Sequence, residues 1–206
     1  MKYPVSGIIL AGGENKRFGG REKAFITLHG RFILDHIYEL FQELFDEIIL
    51  VTNNPEAYLR WDLNITTDLF AVRGSLTGIH TGLFYAANPH VFVTACDTPF
   101  LCKELVYCLL DNVKPDLDIV IPCTDAGFEP LCAVYSKRCL APIEQQLMRK
   151  KLKIETLFKK IRLKKILGPT LRQADPDLLS FININTPQDL ERAQRLKGNG
   201  LRANDR

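Results

Sequence analysis

The chain has 206 residues, 46% of them hydrophobic and 25% charged, which is enough apolar material for one packed core and short for two. Its net charge of +3 is too mild to argue for nucleic acid. The longest apolar stretches, residues 5–11, 48–51 and 119–121, fall far below a membrane span, so neither nucleic acid nor membrane is expected as a partner.

The N-terminal apolar run carries one lysine ahead of it and ends at Gly12-Gly13, so no signal peptide is expected. Six cysteines (Cys96, Cys102, Cys108, Cys123, Cys132 and Cys139) form no C-x-x-C pair and share no spacing with the histidines. They read as free thiols in a reducing, cytoplasmic compartment.

Short β-rich runs occupy residues 5–10, 47–52, 91–95, 118–122, 131–135 and 181–184. Helix-period stretches lie between several of them. Ile33, Ile37, Leu40, Phe41, Leu44 and Phe45 recur at three- and four-residue steps, and residues 76–87 and 103–110 read similarly. Near the C-terminus, Thr186 can cap a helix, Pro187 suits its first turn and Asp189 suits the positive end of its dipole. Strands alternating with helices predict an α/β fold: a single domain over residues 1–197, built on a mostly parallel central sheet with helices on both faces. Residues 198–206 read as a frayed tail. Ligands of such sheets bind beyond the carboxyl ends of the strands, so the residues just after each run are the candidates.

The first of these segments is Leu10-Ala11-Gly12-Gly13-Glu14-Asn15-Lys16-Arg17-Phe18-Gly19-Gly20-Arg21-Glu22-Lys23. Its four glycines let backbone amides approach a phosphate or base closely, and Arg17 and Lys23 add positive charge suited to a triphosphate. Neither a G-x-x-x-x-G-K-[ST] loop nor a G-x-G-x-x-G helix opening is present. After the run at 91–95 comes Cys96-Asp97-Thr98-Pro99. An aspartate at a strand's carboxyl end is placed either to hold Mg²⁺ against nucleotide phosphates or to cap the following turn. Asn53-Asn54 ends another run, in the zone of a ribose or base contact or of an ordinary turn.

The pattern L-A-G-G-x-x-x-R-x-G-G-x-x-K resembles that of the molybdenum cofactor guanylyltransferases. Its outline is shared with sugar-phosphate and cytidylyl transferases, but the doubled Gly19-Gly20 with Lys23 three residues on is closer to the guanylyltransferases. C-D-T-P at residues 96–99 and F-x-N-x-N-T-P at residues 181–187 are similar to the family's segments. Gly74-Ser75-Leu76-Thr77-Gly78 departs from its usual G-P-L-A-G at Ser75 and Thr77.

The resemblance implies a Rossmann-like nucleotidyltransferase fold that moves GMP from GTP to molybdopterin, releases pyrophosphate, and passes its product toward cofactor carriers or apo-molybdoenzymes. It implies that Leu10, Ala11, Gly12 and Gly13 contact the guanine and ribose, and that Lys23, with Arg17, meets the phosphates. Asp97 is the implied Mg²⁺ ligand and Asp68 an implied nucleotide contact. Asn183 and Asn185, alternating along a strand, would bond phosphate or pterin, with a turn-and-cap role open for Asn185. The basic run at residues 149–165 reads as a solvated helix face, or as the region that meets the pterin. A CTP- or sugar-phosphate-dependent relative and a non-catalytic nucleotide-binding adaptor remain the alternatives.

Overall fold

The first apolar run forms strand β1 (Ser6–Leu10) in the computed structural model, which describes residues 3–12 and 22–196. A hairpin of β2 (Thr27–Leu28) and β3 (Arg31–Phe32) leads directly into helix α1 (Ile33–Leu44). His29 and Gly30 form its two-residue turn, both with positive φ (50° and 80°), as a tight turn between twisted antiparallel strands requires. Then follow β4 (Ile48–Val51), β5 (Asn64–Thr66), α2 (Ser75–Tyr85), β6 (His90–Ala95) and α3 (Lys103–Leu110). The remainder comprises β7 (Ile119–Thr124), β8 (Gly127–Phe128), β9 (Cys132–Ser136), α4 (Leu140–Met148), β10 (Leu163–Leu167), α5 (Gly168–Ala174) and α6 (Pro187–Arg195).

The main sheet runs in the order β10-β7-β9-β6-β1-β4-β5, with β8 paired to β7. Its pairs are parallel except those made by β9 and β8. β9 is antiparallel because only residues 125–131 separate it from β7, too few for the crossover that a parallel neighbour demands. Alternate residues of each strand feed opposite cores. Ile9, Leu50, Phe92 and Val134 pack with α1 and α3 on one face, while Ile8, Leu10, Ile49, Val93 and Tyr135 pack with α2 and α4 on the other. The expected α/β sheet covered on both faces is thus present.

The structure differs from the sequence-based expectation in three places. Residues 181–184 are not a strand: Leu179–Phe181 form one 3-10 turn and the segment beyond it is irregular. The basic run at 149–165 is not a helix face, since it ends α4, passes through a 3-10 turn at Ile154–Lys160 and enters β10. The edge strands β5 and β10, and the helices α4 and α5, carried too little periodicity over too few residues to stand out.

Part of the basic run is structural. Asp118, just before β7, accepts from Arg138 Nε at 2.6 Å and from the backbone N–H and Nε of Arg162 at 2.8 and 3.5 Å. Burial raises the Asp118 carboxyl, but the Arg162 backbone and both guanidinium groups outweigh it and hold it below its usual 3.8. A lowered folded-state value means the contribution to stability is complete above 3.8 and is lost as pH falls through the lowered value. Urea midpoints of wild type and Asp118→Asn are expected to differ most near neutral pH and to converge as the medium becomes strongly acidic; a constant gap would exclude this linkage.

Helix α2 lies close on β1 because Gly82 has no side chain. A β-carbon there would sit 2.6 Å from Ile8 Cγ2, and a β-branched neighbour has little rotamer freedom to yield. Gly82→Ala gains up to about 1 kcal/mol of helix propensity but suffers overpacking of about 1–3 kcal/mol. A lower urea midpoint with an unchanged slope is expected; a raised midpoint would show that α2 slides without strain.

Candidate active site

The carboxyl ends of β1, β4, β5 and β6 open into one cleft of about 770 Å³. Ladder bonds continue past the strands and set its floor: Ala11 N–H donates to Val51 O at 2.9 Å, and Cys96 N–H to Leu10 O at 3.0 Å. Thr52 N–H bonds Thr66 O at 2.9 Å. Leu10, Ala11 and Gly12 therefore sit between the ends of β4 and β6, as their position after the first strand leads one to expect. Gly13 and Arg17 lie outside the described residues, as do Gly19 and Gly20.

Lys23 and Asp97 meet in the cleft. The Lys23 ammonium donates to Asp97 Oδ2 at 2.7 Å and also to Asn185 Oδ1. Asn185 is brought there by two constraints. Ile184 N–H donates to Asp97 O at 2.9 Å, pinning the segment beside the end of β6. Asp189 then accepts from the backbone N–H groups of Asn185 and Thr186, while its own N–H donates to Thr186 Oγ1, giving α6 a reciprocal N-terminal cap. The Thr186 bond, then the backbone bonds, hold the Asp189 carboxyl below its usual range. Thr186 is the cap, which leaves the Asn185 side chain free for the site. Asn183 is exposed and does not line the cleft, because no strand forms here to carry both asparagines along one face.

On the opposite side, Asn53 Nδ2 donates to Asp68 Oδ2 at 2.9 Å, and both line the cleft. The two ends are spread over four neighbouring strands: Asp97 follows β6 and Asp68 follows β5, with β1 and β4 between. At about 4.8 Å per strand spacing, the ends of β6 and β5 lie roughly 14 Å apart. An extended molecule, charged at one end and rich in hydrogen-bonding groups at the other, fits that layout.

Sequence reasoning missed Glu22 and Tyr58. Asn54 Nδ2 donates to Glu22 Oε1 at 2.7 Å, tying the end of the glycine-rich loop to the end of β4. Glu22 Oε2, the Tyr58 hydroxyl and Asp97 Oδ1 are buried without a hydrogen-bond partner among the described residues, and their residues all line the cleft. Adjacency to Lys23 was the available signal for Glu22. Tyr58 arrives through a 3-10 turn, Pro55–Tyr58, whose packing against Phe25 and Trp61 has no periodic trace. Cys96 also lines the cleft, but burial, reinforced by the Asp97 charge and opposed by Lys23, pushes its thiol up to about 12. A thiol so held is protonated near neutrality and is no nucleophile.

A cleft at the carboxyl ends of a parallel sheet, with a lysine–carboxylate pair at one end, is the layout of α/β domains that bind nucleotides and other phosphorylated ligands. Comparison with known proteins narrows this to nucleotidyltransferases, and the chain belongs to the MobA-like NTP transferase domain family, whose sequence profile matches residues 7–165. It is 45% identical to a molybdenum cofactor guanylyltransferase of Desulfosudis oleivorans, covering 92% of this chain and 94% of that one. A probable molybdenum cofactor guanylyltransferase of Natranaerobius thermophilus is 37% identical, over 96% and 98% of the two chains. Among solved structures, molybdopterin-guanine dinucleotide biosynthesis protein A of Archaeoglobus fulgidus superposes with a TM-score of 0.82 at 28% identity, covering 92% of this chain and 97% of that one. The family suggests dependence on a divalent metal. No helix among the described residues is long and apolar enough to cross a membrane.

Proposed function

We propose that the protein transfers GMP from GTP to the terminal phosphate of molybdopterin, yielding the guanine dinucleotide form of the cofactor and pyrophosphate. The observation that carries this reading is the Lys23–Asp97 pair with Asn185 at the end of a nucleotide-length cleft, in a chain so similar to guanylyltransferases. A phosphate oxygen of the acceptor attacks the α-phosphorus of GTP, an O–P bond forms, and the bond to the β-phosphate oxygen breaks. Phosphate oxygens are already nucleophilic, so no strong general base is needed. The work left to the protein is positioning and offsetting charge.

Leu10, Ala11, Gly12 and Asp68 would hold the nucleoside end, with Gly13 added from outside the described residues. Lys23, helped by Arg17, would meet the phosphates, and Asn185 the acceptor side. Asp97 fits Mg²⁺: its Oδ1 is buried with no partner among the described residues, while Oδ2 is shared with Lys23. The described residues hold no cluster of three or more His, Cys, Asp or Glu able to cage a metal. That suits an ion which takes one or two carboxylates and completes its shell with phosphates and water. Bound there, Mg²⁺ would supply neutralisation of phosphate charge.

Asp97→Asn keeps the shape and removes the charge. Turnover followed by pyrophosphate release should fall by two or more orders of magnitude, on the order of 3 kcal/mol in the barrier. Thermal unfolding should be little changed. A rate near wild type would show that the metal is held elsewhere.

Lys23 separates an enzyme from a nucleotide-binding adaptor. Charge on the departing oxygens grows in the transition state, so its ammonium should matter more there than in the bound substrate. Lys23→Ala is expected to lower kcat clearly and GTP affinity less. A large loss of affinity at unchanged kcat would contradict the catalytic role.

A further inference from the structure

The loop between β5 and α2 delivers Asp68, Arg73 and Gly74 to the cleft. Among the described residues, two hydrogen bonds reach the backbone of residues 67–73, and both come from threonines of α2. Leu69 N–H donates to Thr81 Oγ1 at 3.0 Å, just after Asp68. Thr77 Oγ1 donates to Val72 O at 2.6 Å, just before Arg73. Between these two bonds, Phe70 meets the ring of His80 edge-on, with the centroids 4.9 Å apart. His80 Nε2 in turn lies 3.0 Å from Glu144 Oε1 of α4.

Thr77, His80 and Thr81 are spaced by three and four residues, so one face of α2 carries all three. All three are buried, where a polar side chain is kept only with partners, and here each meets the loop. The helix that carries them has little room to shift. A β-carbon at Gly82 would stand 2.6 Å from Ile8 Cγ2, and one at Gly78 would stand 3.0 Å from Leu10 Cδ2, so α2 is seated directly on β1. Thr77 is also one of the two positions where this chain departs from G-P-L-A-G, and an alanine there has no hydroxyl to offer Val72.

We infer that Thr77 and Thr81 are positioning residues for nucleotide binding: their hydroxyls hold the loop in the shape that presents Asp68 and Arg73 to the cleft. This deepens, and rests on, the reading of the cleft as the donor-nucleotide site. Neither hydroxyl touches the ligand in this scheme. Losing one leaves a loop backbone group without its partner, and the loop relieves that by opening to water while the core stays folded. A ligand that needs the closed loop then binds more weakly by the fraction of molecules that hold it closed.

The test compares wild type with Thr77→Val, Thr81→Val and Thr77→Ser by calorimetric titration with GTP, by kcat and KM from pyrophosphate release, and by exchange of the Leu69 amide. Thermal unfolding checks that each variant keeps the fold. Both valine variants are expected to bind GTP about tenfold more weakly and to raise KM alike, with kcat unchanged. In Thr77→Val the Leu69 amide, bonded at the other end of the loop, should exchange faster. Thr77→Ser keeps the hydroxyl and should bind GTP as wild type does. Faster Leu69 exchange with unchanged GTP affinity would overturn the inference, because the loop would be loosened without consequence for the ligand. So would a fall in kcat at constant KM, or a serine variant as weak as the valine one. Wild type that binds another nucleoside triphosphate in place of GTP would bring down the guanylyl donor, and the same variants titrated with that nucleotide would still decide the positioning role. Binding of none would overturn both.

Discussion

The ammonium of Lys23 joins three parts of the chain that are far apart in sequence: the end of the glycine-rich loop, the turn after β6 and the segment before α6. Lys23 and Asp97 keep 23% and 13% of their side-chain exposure, so the pair is partly withdrawn from water and its attraction is less screened than that of a surface pair. Much of the surrounding structure serves to bring these groups to one place. The Asp97 carbonyl anchors Ile184, the α6 cap orients Asn185, and the Glu22–Asn54 bond fixes the residue before Lys23. One cation thereby satisfies oxygens from two separate segments, while Asp97 Oδ1 is buried with no partner among the described residues.

The direction of the strands determines why those residues can meet. In a parallel array the carboxyl ends lie along one edge, so each strand delivers its following residues to the same trough. The reversed strand β9 enters from that edge, which is how Leu131, just before it, also comes to line the cleft. The layout separates groups by strand position: the Lys23–Asp97 pair lies beyond β6, and Asn53, Asn54 and Asp68 lie beyond β4 and β5. The close approach of α2, permitted where Gly82 meets Ile8, brings the loop carrying Asp68 and Arg73 against the same edge.

Two of the groups that line the cleft are held in their neutral forms. Its one thiol, Cys96, is kept protonated by burial, and the Tyr58 phenol is likewise raised by burial first, with Cys96 and Glu22 adding to it. Groups so held do not attack a phosphorus atom. Beside them the described lining offers fixed charges and oriented oxygens, as the proposed transfer to a substrate phosphate requires.

Much of this was legible in the sequence, because much of it is local. Alternating apolar runs set the buried strands β1, β4, β6, β7 and β9, and three- and four-residue steps set α1, α2 and α3. The Thr186-Pro187-x-Asp189 cap needs only four consecutive residues, and the glycine-rich loop with Lys23, and Asp97 after its strand, are placed by chain order alone. Other features depended on tertiary contact. Asn183 and Asn185 look equivalent in sequence, yet Asn185 alone reaches Lys23, because its segment is pinned by Asp97 and α6 and never forms a strand. The basic run looked uniform, but Arg162 is drawn to Asp118, 44 positions earlier, and other members lie on an edge strand. Glu22, Tyr58 and Arg73 belong to the cleft through turns whose shape depends on partners elsewhere in the chain. Periodicity and spacing record what a residue does with its near neighbours; which distant group it meets is decided only when the sheet brings its strand ends together.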